Sequence, residues 1–301
     1  MKYLECLKTL SQRVSIVAVG ILFMASIVQA EVVKVGGKAF TEQLLISNLT
    51  ASFLQSKGYE VELTTGMGTA VLRKALINKQ VDIFWEYTGT AFLNYHKQKF
   101  ERQSPEFIYE SVKATDAKQD IIWLNRADMN NTYAFAMRAD LAREKGFETM
   151  DDMVKALNDG ADLTLAIDIE FYKRPDGLKP LQKTYGFEFP RSKVKRMDPG
   201  LVYTAVKEGN ADIGLVYTTD GRIPAFDLTI LDDTKEFFPP YNLTPIANKD
   251  VLEKNPGLAD HLNQLAGAIT TDNISRMNAQ IDVDKKSIKE VVDVFLAANN
   301  L

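Results

Sequence analysis

The chain has 301 residues, 46% hydrophobic and 25% charged, and its 36 basic and 40 acidic side chains give a formal net charge of −4. This length is large for one hydrophobic core and sufficient for two lobes. A mildly acidic chain without basic blocks argues against nucleic acids and anionic membranes as partners.

The N-terminal segment predicts an export signal. Three basic residues precede an apolar run at 14–28, and Ala30 is a small residue suited to cleavage. The run has about 15 residues where a membrane-spanning helix needs roughly 20, which favours a cleaved signal peptide at 1–30 over a membrane anchor. Cys6, the single cysteine, lies before the apolar run and not at the cleavage point. We therefore expect a mature periplasmic protein without a disulfide or a lipid anchor.

Short apolar runs then alternate with segments of helical period. Strands are predicted at 32–36, 61–64 and 82–85, and helices at 41–57 and 69–78. The same order returns later in the chain. Alternating strands and helices predict an α/β fold in which helices cover the faces of a sheet.

One segment repeats along the chain. Residues 75–88 resemble residues 205–218 at a constant offset of 130. In each copy a helix ends in a polar turn, Asp-Ile opens an apolar strand, and Tyr87 or Tyr217 follows where that strand should finish. A match this short can arise by chance. The alternative is two similar lobes, each with a tyrosine at the carboxyl end of a strand, where open α/β sheets place ligands.

Two further tyrosines, Tyr133 and Tyr241, lie at junctions between polar turns and apolar runs. Singly, each is typical of an ordinary half-buried tyrosine. If all four tyrosines converge, they define a site. Two lobes with ligand-facing strand ends predict a cleft that closes on a small molecule by hinge motion.

The sequence offers little for metal binding or catalysis. His96 and His261 lack metal-ligand neighbours at useful spacing, so we expect no metal, no cofactor and no enzyme. Residues 66–69 lack the further residues of a nucleotide loop and predict a tight strand-to-helix turn, with an anion near the helix N-terminus as the alternative. Asp151 and Asp152 predict a helix start. A periplasmic enzyme and a sensor remain the alternatives to a transport protein.

Five ordered motifs carry a family resemblance. They are Gly-Gly-Lys-Ala-Phe-Thr-Glu-Gln at 36–43, Glu-Tyr-Thr-Gly-Thr at 86–90, Asn-Thr-Tyr at 131–133, Arg-Pro-Asp-Gly at 174–177 and Val-Tyr-Thr-Thr-Asp-Gly at 216–221. Together they resemble the substrate-binding proteins of osmoprotectant ABC importers, which bind glycine betaine, carnitine, choline or proline betaine. The resemblance implies a two-lobed periplasmic-binding-protein fold, type II-like, with the ligand cleft between the lobes. Lobe 1 would comprise 31–129 and 238–301, and lobe 2 would comprise 130–237.

The resemblance also implies site residues, a permease partner and a monomer. In this family a cage of aromatic rings holds the trimethylammonium group, and basic and hydroxyl groups hold the carboxylate. By position, the cage is Tyr87, Tyr133, Tyr217 and Tyr241, and the carboxylate partners are Lys38, Thr90 and Arg174. A quaternary ammonium has no N–H to donate, so it must be recognised by ring faces. The neutral hydroxyl of Thr90 tolerates a carboxylate, which favours betaines over choline.

Overall fold

The computed structural model of the protein describes residues 32–301, and the predicted signal peptide at 1–30 lies outside this range. In chain order the elements are β1 (Val33–Lys38), α1 (Thr41–Ser56), β2 (Val61–Met67), α2 (Thr69–Ile77), β3 (Ile83–Tyr87), α3 (Pro105–Asp116), β4 (Ile121–Trp123), β5 (Tyr133–Arg138), α4 (Ala139–Lys145), α5 (Met150–Asn158), β6 (Leu165–Asp168), α6 (Leu178–Tyr185), β7 (Val194–Met197), α7 (Pro199–Lys207), β8 (Ile213–Tyr217), α8 (Arg222–Ala225), β9 (Leu228–Leu231), β10 (Leu243–Asn248), α9 (Lys249–Lys254), α10 (Leu258–Ala268), α11 (Thr271–Asp282) and α12 (Ile288–Ala298). Two short helical segments, Thr88–Thr90 and Ala91–Tyr95, follow β3. The five predicted elements are present, and β1, β2 and β3 run two or three residues further than the sequence predicts.

The strands form two five-stranded sheets of the same topology. The first has the order β2-β1-β3-β10-β4 and the second β7-β6-β8-β5-β9. In each sheet three strands are parallel, and the fourth runs antiparallel to its two neighbours. The predicted two-lobed α/β fold is therefore confirmed.

The repeat seen in the sequence is a structural one. Helices α2 and α7, and strands β3 and β8, occupy equivalent positions at the same offset along the chain. Asp82, just before β3, accepts a hydrogen bond from the backbone N–H of Lys34 at 2.9 Å. Asp212, just before β8, accepts the equivalent bond from Thr164 at 2.7 Å. Each aspartate thus fixes the start of its strand against the neighbouring parallel strand.

Packing of α1 on the first sheet fixes the edge of the site. The helix buries Leu45, Leu49 and Phe53 at a four-residue spacing, which places them on one face. Helix α12 packs against α1 in turn. Only two residues separate β1 from α1, so Lys38 at the strand end and Glu42 in the first helical turn lie at the same sheet edge.

Two segments connect the sheets, and they lie side by side. Asn130 and Asn242 form an isolated antiparallel bridge. The backbone N–H of Asn131 donates to the carbonyl of Tyr241 at 3.1 Å, and the N–H of Tyr241 donates to Oδ1 of Asn130 at 2.7 Å. The lobe limits predicted at 129/130 and 237/238 remain a prediction, and both are close to these crossing segments.

Helix starts and lengths follow local chemistry. Thr149 and Asp152 form a reciprocal capping box at the N-terminus of α5, which confirms the predicted helix start at Asp151 and Asp152. Residues 66–69 form the predicted turn from β2 into α2.

Within residues 32–301, no helix is both long and apolar enough to cross a membrane.

Candidate functional site

The four predicted cage tyrosines lie on facing strand ends. Tyr87 ends β3, Tyr217 ends β8, Tyr133 begins β5, and Tyr241 precedes β10. Tyr133 and Tyr217 are direct cross-strand partners, with ring centroids 5.4 Å apart. The ring of Tyr133 also meets that of Tyr241 edge-on at 5.3 Å. The end of the first sheet and the end of the second sheet therefore present tyrosine rings to the same space.

Phe40 is a fifth ring that the sequence reasoning missed. It stacks on Tyr217 at 5.2 Å and on Tyr87 at 6.3 Å, with interplanar angles of 26° and 24°. It thereby connects tyrosines that belong to different sheets. Phe40 lies in the first family motif, two residues after Lys38. This position is the sequence feature that could have identified it as a site residue.

The seven predicted site residues line one small cavity of about 30 Å³. Lys38, Thr90 and Arg174 border it together with the four tyrosines, and Phe40, Thr69, Asn131 and Glu170 complete its wall. Lys38, Thr90 and Arg174 are each less than one-tenth exposed. The rings and the basic groups thus share one enclosed space between the sheets.

Both basic groups already have carboxylate partners. Nζ of Lys38 lies 2.5 Å from Oε1 of the fully buried Glu86. Arg174 donates from Nε to Oδ1 of Asp176 at 2.7 Å and from Nη2 to Oδ2 at 2.5 Å. Nη2 also reaches Oγ1 of Thr90, at 3.4 Å. The Nε/Nη2 fork of Arg174 is therefore engaged by Asp176, and Nη1 takes part in none of these bonds.

Three cage tyrosines donate their hydroxyl groups to buried carboxylates. Tyr87 donates to Glu42 at 2.7 Å, Tyr241 to Asp176 at 2.7 Å, and Tyr217 to Asp168 at 3.3 Å. All three acids are less than one-twentieth exposed. Each carboxylate lies at the hydroxyl end of a ring, and each bond fixes the position of that ring.

The carboxylates differ in what compensates their charge. Burial raises the pKa of Glu42, and its hydrogen-bond donors offset this only in part. Burial likewise raises the pKa of Asp168. Burial also acts to raise the pKa of Asp176, but the charge of Arg174 together with the hydrogen bonds from Arg174 and Tyr241 outweighs it and lowers that pKa. Burial raises the pKa of all four cage tyrosines well above the usual value, so their hydroxyls stay protonated and can donate.

Polar contacts join the two sheets around the cavity. Glu170, from the second lobe, accepts from the N–H and the hydroxyl of Thr69 at 3.1 and 3.0 Å. The hydroxyl of Thr219 donates to Glu42 at 2.5 Å. The carboxylate of Glu170 therefore lies at the N-terminus of α2, where a bound anion was the alternative to a plain turn. This contact links the two lobes.

His96 and His261 have structural partners. Nε2 of His96 lies 2.7 Å from the buried Asp116, and Nδ1 of His261 lies 3.2 Å from the hydroxyl of Tyr59. In the part of the chain that the structure describes, no group of three or more His, Cys, Asp or Glu side chains could hold a metal ion.

Comparison with known proteins gives a consistent family. A family model described as the substrate-binding domain of the ABC-type glycine betaine transport system matches residues 31–298. The glycine-betaine-binding protein of Pseudomonas aeruginosa is 38% identical over 286 residues, which cover 93% of this chain and 92% of that protein. The carnitine transport binding protein OpuCC of Listeria monocytogenes is 32% identical over 274 residues, which cover 90% of this chain and 87% of that protein.

Solved structures agree with this result. A structure described as a glycine betaine/carnitine/choline ABC transporter is 30% identical, has a TM-score of 0.72, and covers 89% of this chain and 98% of its own. The family model spans almost the whole described range, and the cage tyrosines and their acidic partners lie within it. The chain therefore belongs to the family of substrate-binding domains of ABC-type glycine betaine transport systems.

Proposed function

We propose that the protein is the periplasmic solute-binding component of an ABC importer and captures glycine betaine or a related quaternary-ammonium osmoprotectant. The observation that carries this proposal is the convergence of Tyr87, Tyr133, Tyr217 and Tyr241 on one cavity that Lys38, Thr90 and Arg174 also border. This arrangement offers ring faces to one end of a small zwitterion and basic or hydroxyl groups to the other.

The ring faces suit a cation that cannot form hydrogen bonds. A cation–π contact contributes about 0.5–1 kcal/mol when exposed and about 2 kcal/mol when desolvated. Phe40 adds a further ring beside Tyr87 and Tyr217. Micromolar affinity requires about 8 kcal/mol net of association costs, so the rings need a second set of contacts.

The carboxylate of a betaine supplies that second set. Arg174 offers Nη1, Thr90 offers a hydroxyl, and Lys38 offers an ammonium group that already contacts Glu86. Charge-assisted hydrogen bonds to these groups fix the orientation of the ligand. A cavity of about 30 Å³ holds one or two water molecules, so a betaine enters only when the lobes or rings move apart.

Choline is the second candidate, because internal ion pairs already engage the basic groups. Lys38 pairs with Glu86, and Arg174 pairs with Asp176. A ligand carboxylate must share these cations with an existing partner, whereas choline carries no carboxylate and leaves both pairs intact. The Pseudomonas relative is named for glycine betaine and the Listeria relative for carnitine, which favours the zwitterions.

The proposal includes location and partners. The predicted signal peptide at 1–30 would deliver a monomeric protein to the periplasm without a lipid anchor, where it would meet the permease subunit of the importer. We infer no catalytic role and no nucleic-acid partner.

A ligand sensor that is not coupled to uptake is the remaining alternative. Deletion of the gene tests it, because the loss of a sensor would leave uptake unchanged.

Calorimetric titration of the mature protein tests the ligand class. The titrants are glycine betaine, carnitine, proline betaine, choline and, as a solute without a quaternary ammonium group, ectoine. We expect binding of the betaines, weaker binding of choline and no binding of ectoine. Binding of none of the quaternary ammonium compounds would remove the ligand assignment while leaving the family and the fold in place.

A further inference from the structure

Two buried acids behind the cage have no cationic partner. Glu42 is 3% exposed and Asp168 is 4% exposed. Neither forms an ion pair with any side chain within residues 32–301, whereas Asp176 pairs with Arg174 and Glu86 with Lys38. Glu42 and Asp168 each accept the hydroxyl of a cage tyrosine, from the first and the second sheet respectively.

The contacts of Glu42 suit the ionised carboxylate. Oε1 accepts from the hydroxyl of Tyr87 at 2.7 Å and from Nδ2 of Asn131 at 2.8 Å. Oε2 accepts from the hydroxyl of Thr219 at 2.5 Å and from Nδ2 of Asn278 at 3.2 Å. The two amide groups can only donate and the two hydroxyls can donate as well, so all four contacts are satisfied by the ionised carboxylate. Glu42 also lies in the first turn of α1, where the helix dipole favours a negative charge.

Asp168 has a similar arrangement in the second lobe. Its Oδ1 accepts the backbone N–H of Phe171 at 2.7 Å, and its Oδ2 accepts the hydroxyl of Tyr217. Each oxygen therefore has a donor, and the carboxylate ends β6 beside the tyrosine that ends β8. The two acids thus place one negative charge behind the cage in each lobe.

A negative charge at the hydroxyl end of a tyrosine acts on the bound cation in two ways. It attracts the cation directly, and water screens that attraction only weakly because both acids and Tyr87 are buried and Tyr217 is half-buried. It also polarises the hydroxyl bond and makes the ring face more negative, which strengthens the cation–π contact. A neutral ligand of the same shape gains from neither effect.

We propose that Glu42 and Asp168 are the residues by which the site selects a charged ammonium head over a neutral group of the same shape. They are positioning and specificity residues that act through Tyr87 and Tyr217. This inference rests on the proposed function and goes beyond it, because it assigns charge selectivity to carboxylates that lie outside the cage wall.

The test compares choline with its neutral carbon isostere, 3,3-dimethylbutan-1-ol. Both are titrated calorimetrically, with displacement titration for the weaker ligand, into the mature wild-type protein, Glu42→Gln and Asp168→Asn. We expect the wild type to prefer choline. In each variant we expect about a tenfold loss of choline affinity and less than about a twofold change for the isostere, because removing the charge lowers only the electrostatic contribution.

One variant separates the two electrostatic effects, and a second variant is the control. Tyr87→Phe keeps the ring and the charge of Glu42 but removes their hydrogen bond, so it should lose the part of the preference for choline that depends on the polarised hydroxyl and keep the part that depends on direct attraction. Asp293→Asn removes an acid whose side chain is 54% exposed on α12, and solvent should screen its effect, leaving the preference unchanged. Thermal unfolding of each variant reports whether it is folded.

The outcomes are distinguishable. Equal weakening of choline and isostere in a folded variant would assign Glu42 or Asp168 a structural role and overturn the inference, as would an unchanged preference in both variants. Should Glu42→Gln not fold, Asp168→Asn decides, since the asparagine oxygen can still accept the N–H of Phe171 while its amide group donates to the hydroxyl of Tyr217. If the wild type bound choline and isostere equally, the inference would be overturned while the quaternary-ammonium assignment stood. If it bound no quaternary ammonium, both would be overturned.

Discussion

We propose that Tyr133 and Arg174 contact opposite ends of the ligand, so substitutions at the two positions should differ in their ligand dependence. Tyr133→Ala should cost about 1–2 kcal/mol for betaine and for choline, since both carry the ammonium group. Arg174→Ala should cost betaine about 2 kcal/mol or more, because a charged hydrogen bond is lost. Choline should bind no worse, and better if the unpaired Asp176 attracts it. Titration of both ligands into both variants checks this. An equal loss of the two ligands in Arg174→Ala would move the carboxylate contact to Lys38 or Thr90.

The raised pKa values of Glu42 and Asp168 predict a pH dependence of cation binding. As pH falls through those values, the acids become protonated and the attraction for choline is lost. The affinity for choline should therefore fall at a higher pH than it would with carboxylates of ordinary pKa.

The free energy of unfolding without ligand should change in the opposite direction and decrease as pH rises. A raised pKa means that the folded state holds the proton more tightly, so these acids reduce stability as pH rises through it. Choline titrations and urea unfolding from about pH 4, near the ordinary carboxyl pKa, up to about pH 8 test both signs. Choline affinity that stays constant in the wild type over this range would contradict the first.

At the scale of elements, Gly89 lets the turn after β3 approach Tyr241. A Cβ atom at Gly89 would lie 2.7 Å from the carbonyl oxygen of Pro240 and 2.8 Å from the Tyr241 ring. Gly89→Ala should therefore displace that ring and weaken betaine binding by about tenfold, with a stability loss of about 1–3 kcal/mol. Gly267→Ala in α10 is the matched control, because a Cβ there has no neighbour within 4 Å and alanine favours the helix. Calorimetry and thermal unfolding report the two effects, and unchanged affinity in Gly89→Ala would argue against a fixed Tyr241 ring.

Asp116 ties α2, α3 and β4 together. It accepts a bidentate pair of bonds from Arg73 at 2.8 and 2.5 Å and a further bond from the indole of Trp123 at 2.7 Å. Asp116→Asn leaves Arg73 buried without its counter-charge and should lower the free energy of unfolding by about 3–5 kcal/mol. Asp250→Asn, which removes the exposed partner of Lys79, should change it by less than about 1 kcal/mol. Urea unfolding measures both, and similar losses in the two variants would contradict the assignment.

At the scale of the whole molecule, the contacts of Glu170 with Thr69 and of Thr219 with Glu42 form only when the lobes are together. Ligand in the cavity between the sheets should favour that closed arrangement, because it contacts residues of both lobes. The radius of gyration from solution X-ray scattering should therefore decrease on addition of saturating glycine betaine. An unchanged radius, with binding verified by calorimetry, would indicate a preformed pocket.

The sequence by itself determined the first five elements and the two tyrosines at the ends of β3 and β8. Alternating apolar runs identify β1, β2 and β3, and the repeat places Tyr87 and Tyr217 at equivalent strand ends, because strand formation and turn chemistry depend on neighbouring residues. Tyr133 and Tyr241 were candidates from their positions between polar turns and apolar runs, and the resemblance to the family assigned them to the cage and contributed the basic residues. Strand ends were predicted two or three residues early, since hydrogen bonds to neighbouring strands, which no local pattern specifies, extend them.

Only the tertiary structure decided what surrounds those residues. Glu86 lies 48 positions from Lys38, and Thr219 lies 177 positions from Glu42, so no local pattern shows that these pairs meet. Asp176 stands two residues from Arg174 in the same motif, yet its role depends on a turn that folds the two side chains together. Phe40 acquires its place only when the two sheets face each other. Burial and the pairing of charges depend on the whole fold, because a carboxylate loses its water only when distant segments close over it.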